Sequence, residues 1–194
     1  MKDPGLADWR LVLGRLVATF RAPSSGEAAA VVPRVVEVAP SAAVDLRPAG
    51  VLAVSLPMDD AATAEAVSAV AVHAGLVAEP RVAMATEIAI DAMDIAAVRP
   101  FWKAVLGYVD DGPDALAHPD RLGPAVWFQQ MDAPRPQRNR IHVDVAVPAD
   151  VADERRAAAV EAGGRVLRNE ARAFWVLADP EGNEACICTW QDRD

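Results

Sequence analysis

Few side chains in this 194-residue chain are of types that do chemistry near neutral pH. The histidines are His73, His118 and His142, and the only cysteines are Cys186 and Cys188. The two thiols sit in GNEACICTW, a run that reads as a strand, so Glu184, Cys186 and Cys188 share one face of it. Neighbouring thiols on one strand face do not suit disulfide geometry, and two are too few for a four-cysteine zinc site. A reducing, cytoplasmic setting is therefore expected. His73 lies in the helical run AVAVHAGL and reads as a boundary or core residue, and His118 in AHPD reads as an exposed turn residue. Trp102, Trp127 and Trp175 are of the type that walls a cavity and stacks a flat ligand, with core packing the alternative for each. Arg135, Arg138 and Arg140 form a short basic run in PRPQRNR, either a solvated loop or an anion-steering feature. Neither a glycine-rich phosphate loop nor a nucleophile elbow is present.

The elements that must position these groups follow from composition and pattern. Hydrophobic residues make up 53% of the chain and charged residues 24%, enough apolar surface for a buried core. The formal net charge of −9 repels phosphate backbones and argues against a nucleic-acid partner. No apolar run reaches the roughly 20 residues of a membrane span, and the start, MKDPGLADWR, lacks the basic-then-apolar layout of an export signal. Glu79-Pro80 interrupts the chain, and we place a domain boundary between residues 82 and 83. Residues 1–82 read as α+β with an antiparallel sheet. A short helix capped by Asp8 and running to Leu13 is expected first, then a strand over Leu16–Arg21 and a helix over Glu27–Val38. Strands at Val44–Arg47 and Val51–Leu56 follow, joined across Pro48-Ala49-Gly50, and a helix from Thr63 to Leu76 closes the region.

Residues 83–194 contain a weak internal repeat. A strand over Thr86–Ala92, a helix over Ile95–Leu106 and three short strands are followed by a strand over Arg140–Val147, a helix over Ala149–Ala162 and three more strands. Each half is thus β-α-β-β-β. Glu87-Ile88-Ala89-Ile90 lines up with His142-Val143-Asp144-Val145. One such half cannot close its own sheet, so the two are expected to pair around a shared concavity.

The pieces EIAIDAMDIAAVRPFWKAVLGY, VWFQQMDAPRPQRNRIHVDVAV and WVLADPEGNEACICTW make residues 85–191 resemble the glyoxalase-like branch of the vicinal oxygen chelate superfamily. The resemblance implies an α+β fold of paired βαβββ modules, a cupped sheet lining a cavity, and often a homodimer. Residues 1–82 more faintly resemble pterin-4a-carbinolamine dehydratase, through Trp9, an Ala-rich helix, Val44-Asp45-Leu46-Arg47 and the strand VLAVSL. Where that family carries its histidines, this chain has Pro40-Ser41-Ala42 and Met58-Asp59-Asp60. Without an imidazole the dehydration lacks its acid–base agent, so a degenerate domain serving as scaffold or dimerisation unit is expected.

The superfamily resemblance also implies a ligand set for a divalent metal, one residue from each of four strands. Those positions fall on Glu87, on Gln129 or Gln130, on His142, and on Cys186, with Glu184 two residues earlier as the alternative carboxylate. Zinc, nickel, manganese and iron are the ions considered, and a zinc- or nickel-type ion tolerates mixed nitrogen, oxygen and sulfur donors. Glu184 and Glu87 are the candidate catalytic groups. Trp102, Trp127, Trp175 and Asp144 are the expected pocket residues. On this basis the chain reads as a metal-assisted lyase, isomerase or ring-cleavage enzyme for a small oxygenated substrate. The alternative is a metal-free small-molecule binding protein of the bleomycin-resistance type, in which these residues contact the ligand directly; a purely structural reading has His142 hydrogen-bonded in a polar cavity and Glu87 paired with an arginine.

Overall fold

The chain folds as two units, Met1–Ala85 and Thr86–Asp194, in a computed structural model that describes residues 6–135, 137, 139–170 and 173–191. In the first unit, β1 (Trp9–Val12) and β2 (Arg15–Arg21) form a hairpin where a helix from Asp8 is expected. The reason lies at the turn: Leu13 and Gly14 adopt φ of 45° and 72°, the two positive values that a two-residue hairpin of matching twist requires. Next come α1 (Ser25–Val38), β3 (Ala43–Arg47), β4 (Val51–Pro57), α2 (Ala61–His73) and the short β5 (Val77–Ala78). Ser24 caps α1 by accepting the Glu27 N–H at 3.2 Å. Asp60, rather than Thr63, caps α2, accepting the Thr63 N–H at 3.3 Å. The sheet runs β1-β2-β4-β3, wholly antiparallel, with β5 on β2. Leu16, Ala18 and Phe20 of β2 and Leu52, Val54 and Leu56 of β4 alternate onto one face and pack with Trp9, Val35 and Val67. His73 ends exposed in the last turn of α2 rather than in a core.

The second unit consists of two βαβββ modules, as the repeat implies. The first module holds β6 (Glu87–Ala92), α3 (Ile95–Leu106), β7 (Val109–Asp110), β8 (Ala115–Ala117) and β9 (Ala125–Gln130). The second holds β10 (Val143–Ala146), α4 (Ala152–Glu161), β11 (Arg165–Glu170), β12 (Phe174–Ala178) and β13 (Glu184–Cys188). Their sheets are ordered β6-β9-β8-β7 and β10-β13-β12-β11. In each, the first strand of the module pairs parallel with the last and the remaining pairs are antiparallel.

One hydrophobic cluster serves both modules. It draws Ile90, Val126 and Phe128 from the first sheet, Trp175, Leu177 and Ile187 from the second, and Phe101, Trp102 and Val105 from α3. Asp94 caps α3 through the Ala97 N–H, 3.0 Å away, and Gly107 ends it with φ 67°. Gly164, just after α4, lies against the Phe101 ring, where a Cβ would come within 2.3 Å. Any side chain there would push α3 away from the second module.

Candidate functional site

Strand alternation divides the polar from the apolar faces of both modules. On β6, Ile88, Ile90 and Ala92 belong to the core side, which leaves Glu87, Ala89 and Asp91 on the opposite face. On β10, Val143 and Val145 join the core, so His142 and Asp144 lie on the other side. On β13, Ala185 and Ile187 are core residues, and Glu184, Cys186 and Cys188 alternate with them.

That alternation assembles a compact donor group. Asp144 of β10 stands in register with Cys186 of β13, and His142 precedes Asp144 by two residues on the same face. His142 Nδ1 is 2.8 Å from Asp144 Oδ1 and 3.6 Å from Cys186 Sγ. An imidazole nitrogen, a carboxylate oxygen and a sulfur thus lie within 4.8 Å of one another. His142 and Asp144 are exposed, whereas Cys186 is buried. Burial first, and then the hydrogen bond to Asp144 and the nearby acidic charge, push the Cys186 thiol up to about 12. His142 Nδ1 is occupied by its neighbours, and Nε2 has no hydrogen-bond partner among the described residues.

A cavity of about 650 Å³ opens beside this group. Asp91 of β6, Trp102 of α3, His142 before β10, and Glu184 of β13 contribute to its walls. The loop between β9 and β10 adds Arg135, Gln137, Asn139 and Arg140. The turn between β12 and β13 adds Glu181 and Asn183.

That turn is tightly built. Asp179 is fully buried, and its carboxylate accepts four hydrogen bonds. Oδ1 takes the Glu181 and Asn183 N–H groups at 2.9 Å. Oδ2 takes Asn183 Nδ2 at 2.9 Å and Trp102 Nε1 at 3.0 Å. Glu181 then reaches the start of α3, accepting the Met93 N–H at 2.8 Å and the Asp94 N–H at 2.6 Å. The carboxylate neutralises donors that a helix start leaves unsatisfied. These bonds join the two modules along one wall of the cavity.

The residues anticipated from sequence fall in different places. His142, Asp144 and Cys186 come together, and Glu184 lines the adjoining cavity. Glu87 is exposed and outside the donor group, and no arginine pairs with it among the described residues. The register sets Glu87 against Ala125 and Gln129 against Asp91, so Glu87 and Gln129 are separated by four residues of strand, about 13 Å. Gln130 donates to the Met93 and Met131 carbonyls. Trp102 is buried at the cavity and bonded to Asp179. Trp175 packs in the core, with the Arg156 guanidinium 5.9 Å from its ring centroid. Trp127 is half-buried beside Ala89. His118 is half-buried, its Nδ1 accepting the Asp120 N–H at 3.0 Å. Arg138 lies outside the described residues. The sequence reading passed over Asp91, Asp179 and Glu181. The signal for the last two was Asp179-Pro180-Glu181-Gly182-Asn183, whose Asp, Pro and Gly spell a side-chain-stabilised turn.

The sequence pattern of the glyoxalase-like domain family matches residues 87–188, wholly within the second unit. The chain belongs to this family. Solved structures similar to it include a glyoxalase-related enzyme from Fulvimarina pelagi, at 18% identity over 54% of this chain and 86% of that one, TM-score 0.44. Another is a mutant of the fosfomycin resistance protein FosX from Listeria monocytogenes, complexed with Mn(II) and 1S,2S-dihydroxypropylphosphonic acid. It is 11% identical over 53% of this chain and 86% of its own, TM-score 0.44. A glyoxalase/bleomycin resistance protein/dioxygenase from Alicyclobacillus acidocaldarius is 19% identical over 56% and 92%, TM-score 0.39. No curated protein sequence matches the chain. Its glyoxalase-like unit is of the vicinal oxygen chelate type.

Proposed function

We propose that the second unit is a metal-assisted lyase, isomerase or ring-cleavage enzyme acting on a small oxygenated substrate in the cavity beside His142. The observation that carries this reading is the gathering of His142, Asp144 and Cys186 within 4.8 Å. Their nitrogen, oxygen and sulfur donors suit a zinc- or nickel-type ion better than manganese, which prefers oxygen ligands. An ion held there would polarise a substrate oxygen and stabilise the negative charge that develops on it.

The remaining work falls to the chain's own groups. Asp144, 2.8 Å from His142 Nδ1, fixes the ring within the donor group. Glu184, on the cavity wall beside Cys186, is placed to take a proton from the substrate. Trp102 supplies an apolar wall that limits water. The test is turnover of a panel of hydroxy-carbonyl and catechol-type substrates by wild type, His142→Ala and Glu184→Gln. Loss of activity of a hundredfold or more in both variants, with unchanged melting temperature, supports the assignment. Activity that survives both changes removes it.

A second reading is a metal-free binding protein. It is favoured by the Cys186 thiol, which burial keeps protonated and un-ligating near neutral pH when no cation is present. Ligand titrations followed by tryptophan fluorescence in the presence of chelator distinguish it: binding without turnover supports this second reading. For the first unit we propose a degenerate dehydratase-like scaffold, with Asp60 spent on capping α2 rather than on chemistry. Absence of pterin binding by the full chain is the expected result. A homodimer in a cytoplasmic setting completes the proposal, checked by analytical ultracentrifugation and by locating the native protein in cell fractions.

A further inference from the structure

The second unit is acidic, with 12 basic against 19 acidic residues from position 82 onward, so partners for its cations are plentiful. Most are taken. Arg99 and Lys103 pair with Asp110, Arg121 with Asp111, Arg156 with Asp153 and Arg168 with Glu170. Arg155 donates to the Val105 carbonyl and Arg165 to the Asp179 carbonyl. Arg135 and Arg140 are the exceptions: alone among the described cations of this unit they hold neither an ion pair nor a hydrogen bond. Both line the same cavity, from the loop between β9 and β10. Arg140 is two residues from His142, so both basic side chains reach the cavity from one short stretch of chain.

A guanidinium presents a planar fork of donors that matches a carboxylate or phosphate, and it pairs with either more strongly than with a neutral oxygen. We infer that the cavity's ligand carries an oxyanion, a carboxylate or a phosphate, held between Arg135 and Arg140. Asp91, on the facing strand, is a carboxylate with no partner among the described residues. It repels a second negative charge at its own end and accepts a hydroxyl or amine there. The ligand class that fits is a small metabolite with one acidic group and a hydroxyl or amine some atoms away. This deepens the reading of the cavity as a substrate site and rests on it.

The test uses the full chain and follows tryptophan fluorescence and thermal shift. The probes are lactate, its neutral counterpart lactamide, and inorganic phosphate, each titrated with and without chelator. Lactate or phosphate should bind at least tenfold more tightly than lactamide, and the preference should shrink with added salt because both arginines are exposed. Preference for lactate identifies a carboxylate, and preference for phosphate a phosphoryl group. Arg135→Gln and Arg140→Gln should each weaken the anion severalfold and together abolish the preference over lactamide, with melting temperature unchanged. Lactamide binding as tightly as both anions overturns the oxyanion inference and leaves the cavity reading standing. An anion preference that survives the double substitution overturns the assignment to these arginines. Failure of all three probes to bind, in either condition, overturns the inference and counts against the substrate cavity as well.

Discussion

At the scale of single residues, the central feature is a thiol beneath an imidazole. Cys186 is buried, and desolvation raises its thiol from 9.0 to about 12. The folded chain therefore retains the thiol proton where the unfolded chain has lost it. The contribution to stability is full below about 9 and declines as pH rises toward about 12. We predict that the metal-free chain loses stability across this alkaline window, and that Cys186→Ala flattens the decline; urea midpoints between pH 8 and 11 check it. At pH 8 the native thiol should also resist a disulfide reagent and react on unfolding. Much at this scale was legible in the sequence. His142 and Cys186 came from the family resemblance and the strand period. Asp144 was visible only as a pocket residue, because its place opposite Cys186 depends on the pairing of β10 with β13. Asp91 was not visible at all: only the register of β6 on β9 puts it, rather than Glu87, beside Gln129.

At the scale of elements, the turn between β12 and β13 organises the cavity wall. Asp179 satisfies two backbone N–H groups, the Asn183 amide and the Trp102 indole. Removing it leaves a buried indole N–H and the turn's own donors without acceptors. Asp179→Ala is predicted to cost about 3 kcal/mol or more, measured by urea denaturation, and Asp179→Asn less. Glu181→Gln should weaken the tie to Met93 and Asp94 by about 1 kcal/mol, detected as faster amide exchange at the start of α3. The βαβββ order was readable because each module alternates strand and helix periods in the same sequence. The opening hairpin of the first unit was missed for a local reason. Asp8 mimics a helix cap, and the decisive signal was the Leu13-Gly14 turn, whose positive φ at a leucine no propensity suggests.

At the scale of the whole molecule, two hydrophobic clusters account for the two units, one centred on Trp9, Phe20 and Val35, the other on Phe101, Trp102 and Ile187. Each unit carries its own sheets and its own core, so residues 86–194 expressed alone are predicted to fold; far-ultraviolet circular dichroism and a cooperative thermal transition check this. The same fragment should retain the ligand preferences of the full chain, since every wall of the cavity comes from it. The most direct measurement of the central claim is bound metal. Untagged protein, purified without chelator, is analysed by mass spectrometry beside the His142→Ala/Cys186→Ser double variant. We predict close to one zinc- or nickel-type ion per chain in the wild type and none in the variant, with one or more protons released when the ion binds. An empty wild type that added divalent ions fail to stabilise would contradict the metal-assisted account.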